Sequence, residues 1–224
     1  MKDEDHGRDV ERGDHGRDAH ATLRIRQGAR LPHWTMDGAT YFVTFRLGDS
    51  LPKSVLDAWL YERENIEKAA IRSGHPLIAE ERKRLNYLYS EKVGKYLDAG
   101  HGACWMRDDN IANMVANSLQ HFDGDRYELH AWCVMPNHVH AVLRPLARHE
   151  LPQILHSWKS FSAHAANKLL RRNGQFWEEE YYDHLIRDEA DFRHCVEYTL
   201  ANPEMAGLID WKWVSSTGVP PVGR

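Results

Sequence analysis

Two histidines stand one residue apart, His138 and His140, in the stretch CVMPNHVHAVLRP running from Cys133 to Pro145. On a strand, residues two apart face the same way. The imidazoles therefore project together, while Val139, Ala141 and Leu143 point to an opposite, apolar side. Such a pair suits one divalent metal ion, for which imidazole is a general ligand. A bare His-x-His more often marks packed or surface histidines, and alone it decides nothing. Further along, EYTLAN sets Tyr198 and Asn202 four apart, on one face of a helix. An Asn amide oxygen can be a third ligand, and a tyrosine one turn away would lie near whatever the metal holds. Taken singly, Tyr198 reads as packing and Asn202 as a helix terminator. Neither reading explains both together with the paired histidines.

These residues need elements to position them. ATYFVTFRL (39–47) alternates as a strand with a core face. Ser54 opens a helix to about Ser73, and a second charged helix spans roughly Ile78–Ala99, stopped by Gly100 and Gly102. Ile111, Val115, Leu119 and Phe122 mark a third helix. Tyr127–Met135 and His138–Arg144 form strands joined by a tight turn at Pro136-Asn137. Pro152 begins another helix, with Leu151, Leu155, Trp158, Ser162, Ala165 and Leu169 on its apolar stripe. The last helix starts near Asp188 and is expected to end at Asn202-Pro203, because a residue before proline avoids the helical region. Strands interspersed with helices around an antiparallel hairpin indicate an α+β fold.

The net charge of −4 argues weakly against a nucleic-acid partner, but its distribution does not. Residues 144–173 carry Arg144, Arg148, Lys159, Lys168, Arg171 and Arg172 against Glu150 alone. Seven acids follow within 178–191. DHGRD occurs twice in the first twenty residues, so 1–29 is expected to be a disordered charged tail, with order beginning near Arg30 and a flexible terminus at 217–224. Three cysteines without CxxC spacing suggest reduced thiols and a cytoplasmic protein. No apolar run has membrane-span length, so no membrane partner is expected, and the polar N-terminus lacks the apolar core of a secretion signal.

MPNHVHAVL, HSWKSF, FWEEEYYDHLIRDEADFRHCVEYTLANPEMAGL and LPHW…GATYFVTFRL together resemble the REP-associated tyrosine transposases, relatives of the insertion-sequence-200 type of single-tyrosine HUH transposase. The resemblance spans about Leu31 to Ser216, giving a domain at 30–216 with a helical insertion at 52–108 that compact members lack. It implies a ferredoxin-like (RRM-like) antiparallel sheet with packed helices. It also implies Tyr198 as nucleophile, with His138, His140 and Asn202 as ligands to Mg²⁺ or Mn²⁺. The reaction would be cleavage and rejoining of single-stranded or hairpin DNA at palindromic repeats, through a 5′-phosphotyrosine. Localisation would be bacterial and nucleoid-associated. Relatives act as monomers or as homodimers that trade tyrosine helices, and the sequence does not decide between them.

On that reading Arg144, Lys159, Lys168, Arg171 and Arg172 would neutralise phosphates beside the cleavage site. Trp158, Phe176 and Trp177 could stack on bases, although Trp158 lies on the core stripe. Two alternatives stand. One is a domesticated protein that binds structured DNA without cutting it. The other is a metal hydrolase, which needs an acidic base near the metal, and no acid adjoins the histidines in sequence.

Overall fold

The computed structural model of the protein describes residues 24–27, 32–72, 81, 84 and 93–217. Its strands are β1 (Arg24–Gln27), β2 (Pro32–Thr35), β3 (Tyr41–Arg46), β4 (Tyr127–Val134), β5 (His138–Pro145), β6 (Tyr182–Leu185) and β7 (Val214–Ser216). Its helices are α1 (Lys53–Arg72), α2 (Lys95–Asp98), α3 (Asp109–Gln120), α4 (Leu151–Leu169) and α5 (Glu189–Met205). β1 and β2 form a ladder of their own. The main sheet runs β6-β3-β5-β4-β7, antiparallel throughout. Without β7, the order β3-α3-β4-β5-α4-β6 is the βαββαβ arrangement of ferredoxin-like folds. The expected α+β class and its topology are therefore present.

Alternation divides the sheet into two chemically different faces. Tyr41, Val43 and Phe45 of β3 join Val139, Ala141 and Leu143 of β5 in a core covered by α3 and α4. Its centre is fixed by a shared hydroxyl: Tyr127 Oη donates to the Leu119 carbonyl at 2.7 Å and accepts from Trp158 Nε1 at 2.9 Å. The other face carries Phe42, Ala131 and Val142, and α5 packs on it through Cys195 and Val196. His138 and His140 lie on this second face, because they pair with Arg46 and Thr44 and alternate with the core residues.

Several boundaries differ from those read in the sequence. Backbone pairing of β1 with β2 puts ordered structure at Arg24 rather than near Arg30, a feature composition does not register. At the other end, Thr217 bonds through its backbone to His130 O at 2.9 Å, after β7 has paired with β4. Residues 1–23 and 218–224 lie outside the described residues, as does most of the expected 78–99 helix. On α4 the stripe drifts, so that Ala166 is buried while Leu169 is exposed. The last helix does not stop at Asn202-Pro203: it continues to Met205 with Pro203 inside it. Proline lacks only the donor for one carbonyl there, and bonds from Ala206 N to Asn202 O and Leu208 N to Pro203 O close the end. Asn202 consequently remains helical, one turn beyond Tyr198.

The excursion between β3 and α3 packs α1 and α2 around Leu51, Trp59, Ile66, Val93 and Leu97. It is fastened to the sheet at its exit. Gly102 has φ +87°, and a Cβ there would meet the Asp49 carbonyl oxygen at 2.7 Å. Ala103 N donates to Asp49 Oδ2 at 2.9 Å, and Asn137 Nδ2 donates to His101 O at 2.9 Å. No helix among the described residues is long and apolar enough to cross a membrane. Gly102→Ala is expected to lower stability in denaturant titration by roughly 1–3 kcal/mol, since it adds both backbone strain and a clash. A change within about 0.3 kcal/mol would contradict this close approach.

Candidate active site

Strand register brings the two imidazoles together. His138 and His140 are fully buried side by side, with Nε2 atoms 3.0 Å apart. Each ring is held from behind. His138 Nδ1 lies 2.7 Å from Asn137 Oδ1, and His140 Nδ1 lies 2.7 Å from Thr44 Oγ1. The Asn137 amide is oriented by its own donation to His101 O, which leaves its oxygen to accept from His138 Nδ1. With each Nδ1–H donating, to Asn137 Oδ1 and to Thr44 Oγ1, both Nε2 lone pairs face each other. Outer partners fix imidazole tautomers at metal centres in this way.

Burial keeps both rings neutral. Desolvation, then the neighbouring His140, holds His138 well below its ordinary range, with the Asn202 amide opposing. Burial alone takes His140 down to about 3. Neutral imidazole is the ligating form. Cys133 faces His140 across the β4–β5 ladder, but burial raises its thiol, so it packs beside the pair as a neutral neighbour.

α5 supplies the other two expected residues. The Tyr198 ring lies 5.4 Å from the His140 ring and 5.8 Å from Phe42, edge-on to both. Asn202 is completely buried, and neither its amide oxygen nor its nitrogen has a hydrogen-bond partner. It lies close enough to Asp98 and His138 to bear on both titrations, but without hydrogen-bond geometry to either. All four residues are thus brought to one place within a single chain.

The sequence did not single out Asp98. This last residue of α2 places Oδ1 3.9 Å from His138 Nε2. That oxygen is buried without a hydrogen-bond partner, and burial raises the carboxyl to about 6. Nothing local in the sequence marks it, because forty residues of chain separate it from His138. A second group, His184, Asp191 and Cys195, is the trio of His, Cys, Asp or Glu donors lying within 4.8 Å of one another among the described residues. Its geometry is explained by hydrogen bonding: His184 Nε2 meets both Asp191 oxygens at 2.9 Å and ties β6 to the start of α5.

The basic residues are placed differently from expectation. α4 covers the face opposite the histidines, so Lys159, Lys168, Arg171 and Arg172 are not gathered beside the imidazoles. Lys159 donates to the Glu179 carbonyl at 2.6 Å, and burial lowers it to about 8. Arg172 bonds Gln175 O, and Arg144 is paired with Glu128 at 2.6 Å. Trp158, Phe176 and Trp177 are all buried in the main core, which removes them as base-stacking platforms.

Residues 106–198 match the family model described as Transposase IS200 like. Over that span, less than half of the chain, the sequence is similar to IS200-like transposases. The matched span holds His138, His140 and Tyr198, while Asp98 and Asn202 fall just outside it. The chain is also similar to the REP-associated tyrosine transposase of Escherichia coli (strain K12), 27% identical over 130 residues that make up 49% of this chain and 74% of that one. A solved structure of a REP-associated tyrosine transposase bound to a REP hairpin aligns with 18% identity and a TM-score of 0.49, covering 84% of this chain and 82% of that one.

The depressed imidazoles have a pH signature. The unfolded chain takes up protons on both below about 6.5, whereas the folded state resists, so this pair's contribution to stability is lost as pH falls. Asp98 opposes over pH 4–6, but as one group against two. In metal-free protein at pH 5, side-chain nitrogen NMR is expected to show His138 and His140 neutral. Protonation of the pair above pH 6 would contradict the burial argument.

Proposed function

We propose that the protein is a transposase of the REP-associated kind, which cleaves and rejoins single-stranded or hairpin DNA through a covalent bond to Tyr198. One observation carries the reading: in the same chain, the Tyr198 ring stands against His140, whose Nε2 converges with that of His138. The match of residues 106–198 to the IS200-like transposase model and the likeness to the Escherichia coli REP-associated tyrosine transposase support the same reading.

The residues fit a divalent cation. Two neutral imidazoles face one another, and the buried Asn202 amide oxygen lacks any partner, an arrangement that costs stability unless a ligand satisfies it. His138, His140 and Asn202 would hold the ion, and their mixed nitrogen and oxygen set suits Mg²⁺ or Mn²⁺ beside phosphate oxygens. When bound, it supplies Lewis-acid polarisation of a phosphate oxygen.

Tyr198 does the bond-making. Its phenolic oxygen forms a bond to the 5′-phosphate as the bond from phosphorus to the 3′-oxygen breaks, and the phenol proton is balanced by one taken up on the released 3′-hydroxyl. Phosphoester bonds are conserved in number, so a DNA 3′-hydroxyl can reverse the step without nucleotide hydrolysis. In the return step the 3′-hydroxyl attacks phosphorus and the tyrosine phenoxide leaves, more easily than an alkoxide would, since an unperturbed phenol has a pKa of ~10. The exposed Lys168 and Arg171, at the end of α4, would contact DNA away from the cleavage point. Because the tyrosine meets its own chain's histidines, one protomer suffices.

Asp98 supplies the acid that a metal hydrolase would need. That alternative, however, gives Tyr198 no role. A non-cleaving binder would likewise leave the phenol idle. With a labelled hairpin strand and Mg²⁺, Tyr198→Phe is expected to retain the fold and DNA binding while losing the covalent adduct and more than ~1000-fold of cleavage. Cleavage surviving in that variant, or unaffected by a chelator, would defeat the proposal.

A further inference from the structure

We infer that Asp98, carried in by the helical excursion between β3 and α3, is a fourth protein ligand to the cation at His138, His140 and Asn202. This rests on the metal reading above and extends it to a residue outside the family match.

Three independent observations meet at Asp98. Its Oδ1 is 3.9 Å from His138 Nε2, a separation that two ligands of one ion can have. The same oxygen is buried with no hydrogen-bond partner, as are both polar atoms of Asn202. A buried carboxylate oxygen with no donor is costly, and here the adjacent imidazole offers none when its one N–H, at Nδ1, donates to Asn137 Oδ1. The segment is also anchored where it meets the site. Leu97 is buried in the excursion's own core, and the next residues are bound through His101 O to Asn137 and through Ala103 N to Asp49. The same Asn137 that orients His138 therefore also receives the chain that delivers Asp98.

The carboxylate stands on the His138 side of the pair. Asp98 with both imidazoles does not form a trio within 4.8 Å, so the side chain must swing inward to ligate. It sits at the end of a four-residue helix and is 28% exposed, which leaves room for that rotation. A fourth protein ligand changes the site's chemistry in a definite direction. It adds a negative charge and a hard oxygen, strengthening retention of Mg²⁺ or Mn²⁺ between DNA-binding events, and it takes a coordination position from water.

The test uses the full chain and Mn²⁺ alone. Calorimetric titration gives affinity, and water-proton relaxation of the saturated complex reports the waters left on the ion. For Asp98→Ala, affinity is expected to fall ~10- to 100-fold, in the range of losses at metal sites, with relaxation rising by about one additional water. Asp98→Asn, which keeps the shape and loses the charge, is expected to fall between Ala and the native residue and serves if the alanine variant does not fold. Affinity within twofold of native with unchanged relaxation in the folded variant would overturn the assignment while leaving the three-ligand reading intact. Weakened binding with unchanged relaxation would also overturn it, showing an electrostatic neighbour rather than a ligand. Absence of Mn²⁺ binding in the native protein, repeated in His138→Ala, would bring down both readings together.

Discussion

Two imidazole nitrogens 3.0 Å apart in a buried place are unstable company unless something lies between them. If each Nδ1–H donates to its neighbour, Asn137 Oδ1 or Thr44 Oγ1, the facing Nε2 lone pairs repel. Relief comes from a shared proton or a shared cation. Desolvation argues against added positive charge on the rings, and it lowers both well below the usual histidine range. The surrounding architecture maintains this tension. Ladder pairing sets Thr44 opposite His140, and the tight turn before β5 puts Asn137 behind His138.

A ferredoxin-like sheet with both crossover helices on one face leaves its other face available. Here α5 closes most of it. Its apolar residues rest on Phe42, Ala131 and Val142, and its next turns hold Tyr198 and Asn202 over the imidazoles. The excursion closes the side, bringing Asp98. Unpartnered buried polar atoms cost about 1–3 kcal/mol each. Asn202 and Asp98 account for three of those among the described residues, all at one place. Local instability concentrated at a site built for a ligand is the usual exception to full hydrogen bonding.

The chemistry of the four expected residues was legible because periodicity carries facing: two along a strand, four along a helix. His138 and His140 share a face for that reason, and so do Tyr198 and Asn202. Their meeting across sixty residues came from family resemblance, since pairing order is not a local property. Asp98 was invisible for the same reason, being neighbour to His138 only through the anchoring of His101 and Gly102. Charge misled in one respect. A run of cations between 144 and 173 suggested a surface at the cleavage point, but the apolar stripe on α4 commits that helix to the opposite face of the sheet. Pro203 misled in another, because a proline near the end of a helix loses too little bonding to stop it.

Anomalous diffraction from crystals soaked in Mn²⁺ tests the central claim most directly. A peak is predicted within ligand distance of His138 Nε2 and His140 Nε2 and adjacent to the Asn202 amide oxygen. No peak between the imidazoles, or one confined to His184, Asp191 and Cys195, would contradict it.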